Sequence, residues 1–153
     1  MFLVTTSVSG SNTIIELRGT VYNDFADAGN HGTTLPTIKA SSASEVAGAN
    51  DYNVESNLGC TYTFLVETLF SAGKIKTDGT DKFIGFARSL MTTAATGKDW
   101  FPGAANDELN FDGTTTGGIV GTLVRITAVA SAQYFVEAYI KASGSQATPF
   151  AGS

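Results

Sequence analysis

The chain has 153 residues, a mass of 15.9 kDa, 42% hydrophobic residues and a mean hydropathy of +0.08, which suits one domain built round one filled core. A net charge of −5 with a pI near 4.6 disfavours a nucleic-acid partner, because phosphate binding relies on Lys and Arg; no stretch has the length of a bilayer-spanning helix, and the single Cys60 rules out an internal disulfide staple. Only 15% of residues are charged, against roughly 25% in an average domain, and Thr, Ser, Asn and Gly fill the polar positions, a composition of strands and turns.

In chain order, the first element is the apolar run Phe2, Leu3 and Val4. It has no basic flank and is too short for a signal peptide, so synthesis in the cytosol is expected. A chain end is normally polar and frayed unless it is tied down, and a β-prone apolar end can add as a strand to an exposed sheet edge. Residues 1–10 are therefore a candidate attachment arm, with a strand paired inside its own subunit as the alternative. Residues 14–17 and 35–38 read as short strands, separated by a loop-like stretch from Asn23 to Thr34 that carries the only histidine, His31. With Asp24 or Asp27 near it in sequence but no nucleophile beside it, His31 reads as a solvated loop residue.

Cys60 reads as a small buried hydrophobe before a strong strand at residues 61–69, with Tyr62, Phe64 and Val66 on one face. Lys74, Ile75 and Lys76 form a short segment, Thr77-Asp78-Gly79 a turn, and residues 83–86 another strand. Residues 89–95 have weak helical propensity that Gly97 ends. Trp100-Phe101-Pro102-Gly103 is the most aromatic loop, either a core anchor or a binding surface. Asp78, Asp81, Asp107, Glu108 and Asp112 sit in turn-rich segments without EF-hand spacing; they read as turn formers, with a structural calcium as the sharper alternative. Residues 113–118, Gly-Thr-Thr-Thr-Gly-Gly, resemble a phosphate loop but lack the Lys-Ser/Thr pair and precede a strand, so they read as a flexible connection. The clearest pairing is a hairpin: alternation runs from Ile119 to Val129 and again from Tyr134 to Ile140, burying Val124, Ile126, Val136 and Ile140 together. Its Ala130-Ser131-Ala132 connection lacks the Asn-Gly signature of a tight turn.

These elements predict an all-β, single-domain β-sandwich, jelly roll or distorted barrel spanning residues 1–153, with at most one short helix. The GxSxG, HExxH and Walker A patterns are absent, and the reading is a protein that is no enzyme and needs no cofactor. A polysaccharide hydrolase would need two carboxylates flanking a cleft.

Residues 111–118 (Phe-Asp-Gly-Thr-Thr-Thr-Gly-Gly), Val120-Gly121-Thr122-Leu123-Val124, the strand Tyr134-Phe135-Val136 and the tail at 144–150 resemble tailed-phage virion proteins of the cyanophage type, including capsid decoration or cement proteins. Residues 59–66 and Thr77-Asp78-Gly79 are similar to the preceding strand and turn of that pattern, and the last strand often carries Trp there where Tyr134 stands here. The resemblance implies a decoration or cement protein on the outer capsid surface, made in the host cytoplasm, bound to the phage major capsid protein and self-associated, as a trimer. The resemblance covers roughly residues 58–150; the candidate interface residues come from the apolar chain end, Phe2, Leu3 and Val4, and from the aromatic loop, Trp100 and Phe101. The alternative is a tail or fibre module that recognises host glycans round Trp100 and Tyr52.

Overall fold

The computed structural model describes residues 4–7, 11–13, 20–25, 30–38, 57–69, 72–91 and 97–152, and among them every regular element is a strand. The first six strands are β1 (Val4–Ser7), β2 (Ser11–Thr13), β3 (Thr20–Phe25), β4 (Asn30–Thr34), β5 (Thr61–Val66) and β6 (Ala72–Lys76). They shuttle between two sheets. β1, β3 and β5 are neighbours in one sheet and β2, β4 and β6 in the other, and every pairing within each trio is parallel. The chain therefore winds through three coils, each with one strand in each sheet. Coil length is irregular: Val4 stands beside Val21, whereas Thr20 stands beside Thr61, more than twice as far along the chain.

The second half stops this winding with antiparallel partners. It contains β7 (Lys82–Met91), β8 (Asp99–Trp100), β9 (Glu108–Phe111), β10 (Leu123–Ala130), β11 (Gln133–Ala142) and β12 (Phe150–Ala151). β10 covers β5 and β9 covers β6, both antiparallel. The larger sheet has the order β1-β3-β5-β10-β11-β7-β8, and the smaller β12-β9-β6-β4-β2.

The inner faces of the two sheets enclose one hydrophobic cluster. Alternation on β5 directs Tyr62, Phe64 and Val66 inward, and β10 and β11 contribute Val124, Ile126, Val136 and Ile140, each at most 1% exposed; Ile75, Leu109 and Phe111 answer from the smaller sheet. At about 1.5–3 kcal/mol per buried aliphatic side chain, the four hairpin residues alone provide a large share of the driving force. Cys60 is buried in the same cluster as a free thiol. Tyr134, standing where the resembled pattern has Trp, is fully buried, donates its hydroxyl to the Pro36 carbonyl at 2.6 Å and meets the Tyr62 ring edge-on.

Several boundaries differ from the sequence reading. The loop expected from Asn23 to Thr34 contains the end of β3 and all of β4, because neighbours on both sides supply ladder partners that outweigh the poor β propensity of Asn, Asp and Gly. Residues 35–38, expected as a strand, are irregular; Leu35 N–H donates to the Lys76 carbonyl and Ile38 N–H to Asp81. Ser89, Leu90 and Met91, expected to open a helix, finish β7, held by the ladder to Ile140, Lys141 and Ala142 and by Ser89 N–H to the Lys98 carbonyl. The strand expected from Ile119 starts at Leu123, after a turn closed by Thr122 N–H on the Ile119 carbonyl. The strand expected to reach Leu69 ends at Val66, whose carbonyl accepts from Gly121 N–H. Residues 14–17 and 92–95 and Tyr52 lie outside the described residues.

Candidate functional site

Two features can do chemistry or recognition: an aromatic turn at one edge of the larger sheet and a polar cleft at the end of the smaller. The turn follows β8. Arg88 on β7 stands opposite Asp99 on β8 and grips both carboxylate oxygens, at 2.8 and 2.9 Å, which holds Asp99 below the ordinary carboxylate range. Trp100, next along, points the other way and packs against the core. Phe101 then emerges 73% exposed. The chain behind it is braced: Gly103 N–H donates to the Asn106 side chain at 2.6 Å, Asn106 N–H returns to the Gly103 carbonyl, and the Asn106 carbonyl accepts from Phe83 on β7. The structure thus divides the Trp100-Phe101 pair into an anchor and a presented ring.

The other expected interface residues are elsewhere. Val4 opens β1, the opposite edge strand of the same sheet, paired with Val21. Six strand spacings of about 4.8 Å separate that edge from β8, roughly 30 Å. Phe2 and Leu3 lie outside the described residues. Val4 and the Trp100-Phe101 pair consequently belong to two edges, not one patch.

The cleft, of about 230 Å³, is lined by Thr34, Lys76, Thr77, Asp78, Gly79, Asp107 and Glu108. Its carboxylates are engaged within the chain. Lys82 Nζ donates to Asp107 at 2.5 Å, and Lys74 Nζ reaches Glu108 at 2.8 Å. Burial pushes the Asp78 carboxyl up, but the Thr37 hydroxyl at 2.6 Å and the N–H groups of Thr80 and Asp81 outweigh it and leave the group below its ordinary value. Asp81 is raised by burial, partly offset by the Ile38 N–H at 2.7 Å, and does not line the cleft. A general acid with its proton held for transfer, opposite a free carboxylate, is not what these contacts build. Among the described residues no group of three His, Cys, Asp or Glu side chains could hold a metal ion.

The phosphate-loop look-alike at 113–118 carries its own anion. Asp112 Oδ1 accepts from Thr114 N–H at 2.8 Å and Thr116 N–H at 2.9 Å, while Oδ2 accepts from the Thr115 hydroxyl at 2.5 Å. The Thr114 and Thr116 N–H groups, which a phosphate would need, are thus already satisfied. The loop is also tied to the chain after β11 through Ser143 and Ala147 N–H on the carbonyls of Thr114 and Thr115, so it is a pinned connection, not the flexible one expected. His31 lies on β4, in the smaller sheet, and Asp24 on β3, in the larger.

The surface that the sequence reading passed over is the outer face of the larger sheet. Opposite the buried positions, β7 presents Ile84, Phe86, Arg88 and Leu90, and β11 presents Phe135, Glu137, Tyr139 and Lys141. The phase of alternation was legible for each strand; what announced the surface was the apolar residues at the outward phase as well.

No protein-family model, curated protein or solved structure matches the chain.

Proposed function

We propose that the protein is a structural virion component of the decoration or cement type, which binds the major capsid protein on the outer surface of a phage capsid as a homo-oligomer and acts by burying surface, without catalysis. The observation that carries this reading is Phe101, a large apolar ring held out on a braced turn with its neighbour Trp100 fastened to the core. A rigid aromatic of this kind loses little conformational entropy on docking into a pocket, which is how interface anchors gain affinity. The placement of Val4 on the far edge of the same sheet supports a protein that touches two neighbours at once, since bridging subunits requires separate contact sites. The engaged carboxylates of the cleft support a non-catalytic role.

The test is labelling of purified virions with antibody against the protein, together with rebinding of purified variants to capsids stripped of it. Label on the capsid is expected, with binding weakened about tenfold or more by Phe101→Ser while that protein melts close to the parent. Label confined to tails or fibres would replace this reading with glycan recognition by the same aromatic turn.

A further inference from the structure

We infer that the outer face of the larger sheet, over β5, β10, β11 and β7, is a self-association surface on which a second copy of the chain docks face to face. The inference rests on the homo-oligomer part of the reading above and is independent of the capsid.

A solvated sheet face normally alternates polar residues outward. Here the outward positions of β7 are Ile84, Phe86, Arg88 and Leu90, with Ile84 36% and Leu90 45% exposed. The register places Ile84 beside Phe135 and Leu90 beside Lys141 on β11, then Leu123 beside Tyr139 and Leu65 beside Leu123. Phe86 and Tyr139 meet edge-to-face with centroids 6.1 Å apart. The result is a face on which these aromatic and aliphatic residues are interleaved with Thr61, Thr63, Thr127, Arg88, Arg125 and Glu137 across four strands. Among the described residues β7 and β11 form the longest pairing, ten residues in parallel, so these outward side chains sit on the most extended ladder of the sheet.

Charge and area point to a second copy as the cover. Although the chain carries −5, the described charges on this face are Arg88, Arg125 and Lys141 against Asp99 and Glu137. The acidic excess therefore lies elsewhere, and two such faces meet without net repulsion. Arg125 and Glu137 stand opposite one another at 3.8 Å, a loose pair whose members remain open to partners across a two-fold axis. From β5 to β8 four strand spacings cover roughly 19 Å, and eight residues of strand run about 26 Å, a footprint near 500 Å² before side-chain relief is added. Specific interfaces bury about 600–1,000 Å² per partner, with Tyr, Phe and Arg enriched, and one face with its side-chain relief reaches the lower end of that range. An isologous contact closes at two copies, not at the three that the sequence resemblance implies.

Sedimentation and light scattering of the purified full-length chain, without capsids, test this directly. The parent is expected at twice the 15.9 kDa chain mass at micromolar concentration. Ile84→Lys and Leu90→Lys, both at exposed strand positions, are expected to weaken self-association roughly thirtyfold or more and to run as folded monomers with a melting transition retained. A parent that sediments as a monomer or a trimer overturns the inference. So does a dimer that both variants leave intact. Should one variant fail to melt cooperatively, the other decides.

Discussion

Asp112 and Asp81 are two carboxylates with opposite fates. Burial pushes both up, but Asp112 receives the Thr115 hydroxyl and the N–H groups of Thr114 and Thr116 and is pulled down to about 2, whereas Asp81 receives chiefly the Ile38 N–H and stays raised, the charge of Asp78 adding to the effect. For Asp112 the folded value lies below the ordinary 3.8, so its contribution to stability is present above about pH 4 and is lost as pH falls toward 2. Asp81 has the opposite sign: its contribution falls as pH rises above 3.8 through its raised folded value. Because the Asp112 side chain is exposed, the nominal shift is discounted to about 1 kcal/mol. Asp112→Asn should therefore lower the urea midpoint at pH 7 and flatten its decline between about pH 4 and pH 2; an unchanged acid slope would remove Asp112 from the account. Ala132 offers the converse, a residue worse than its replacement. At φ 60° in the turn between β10 and β11 it is left-handed, which costs a Cβ-bearing residue about 1 kcal/mol and glycine almost nothing. Allowing for the extra freedom glycine has when unfolded, Ala132→Gly should stabilise by about 0.5 kcal/mol and raise the melting temperature by about 1–2 °C in calorimetry.

At the level of elements, the hairpin of β10 and β11 holds the molecule together, and Gly85 shows how closely β7 approaches it. Gly85 has φ 109°, and a Cβ there would stand 2.2 Å from the Val136 carbonyl oxygen, so the ladder from Lys82 to Met91 requires glycine at that point. Val136 itself is fully buried, with Ile126 opposite it on β10. Val136→Asp would place a carboxylate in an apolar cluster with no cation to pair with, at a cost of about 4 kcal/mol or more, comparable with the whole stability of a marginal domain. The expected outcome is loss of the sheet signal in circular dichroism at 25 °C and no cooperative melt, while Val136→Ala remains folded. The hairpin was legible because β-branched and aromatic residues alternate without interruption on both strands. Its turn was not: the bulge between Ala128 and Ala130 adds Val129 to one strand, and the left-handed Ala132 completes a reversal that no Asn-Gly pair announces.

At the scale of the whole fold the defining property is that the parallel winding of β1 to β6 ends against two antiparallel strands, β10 on β5 and β9 on β6. Three coils in a two-sheet solenoid leave no repeat in the sequence, because the segment between β4 and β5 is far longer than that between β2 and β3. The closing strands also set how the edges are presented. β8 and β12 are two residues each, short enough to resist chance pairing, and the Arg88–Asp99 ion pair lies across the first of them. The N-terminal edge is the longer β1, whose Val4–Ser7 is paired along one side with β3.

The sequence by itself determined the class. Low charge, abundant Thr and Gly, and strict alternation at residues 61–66, 123–128 and 134–140 dictate strands with one buried face, and they select Tyr62, Phe64, Val124, Ile126, Val136 and Ile140 as core before any partner is known. Alternation is a local property, written within each segment. Which strands become neighbours is not, since Thr20 pairing with Thr61, or Gln133 running parallel to Lys82, depends on ladder partners supplied from distant parts of the chain. Only the tertiary structure could place residues 23–25 and 30–34 in strands, turn Asp112 into the anion of its own loop, separate Trp100 from Phe101, and align the outward residues of β7 and β11 into one face.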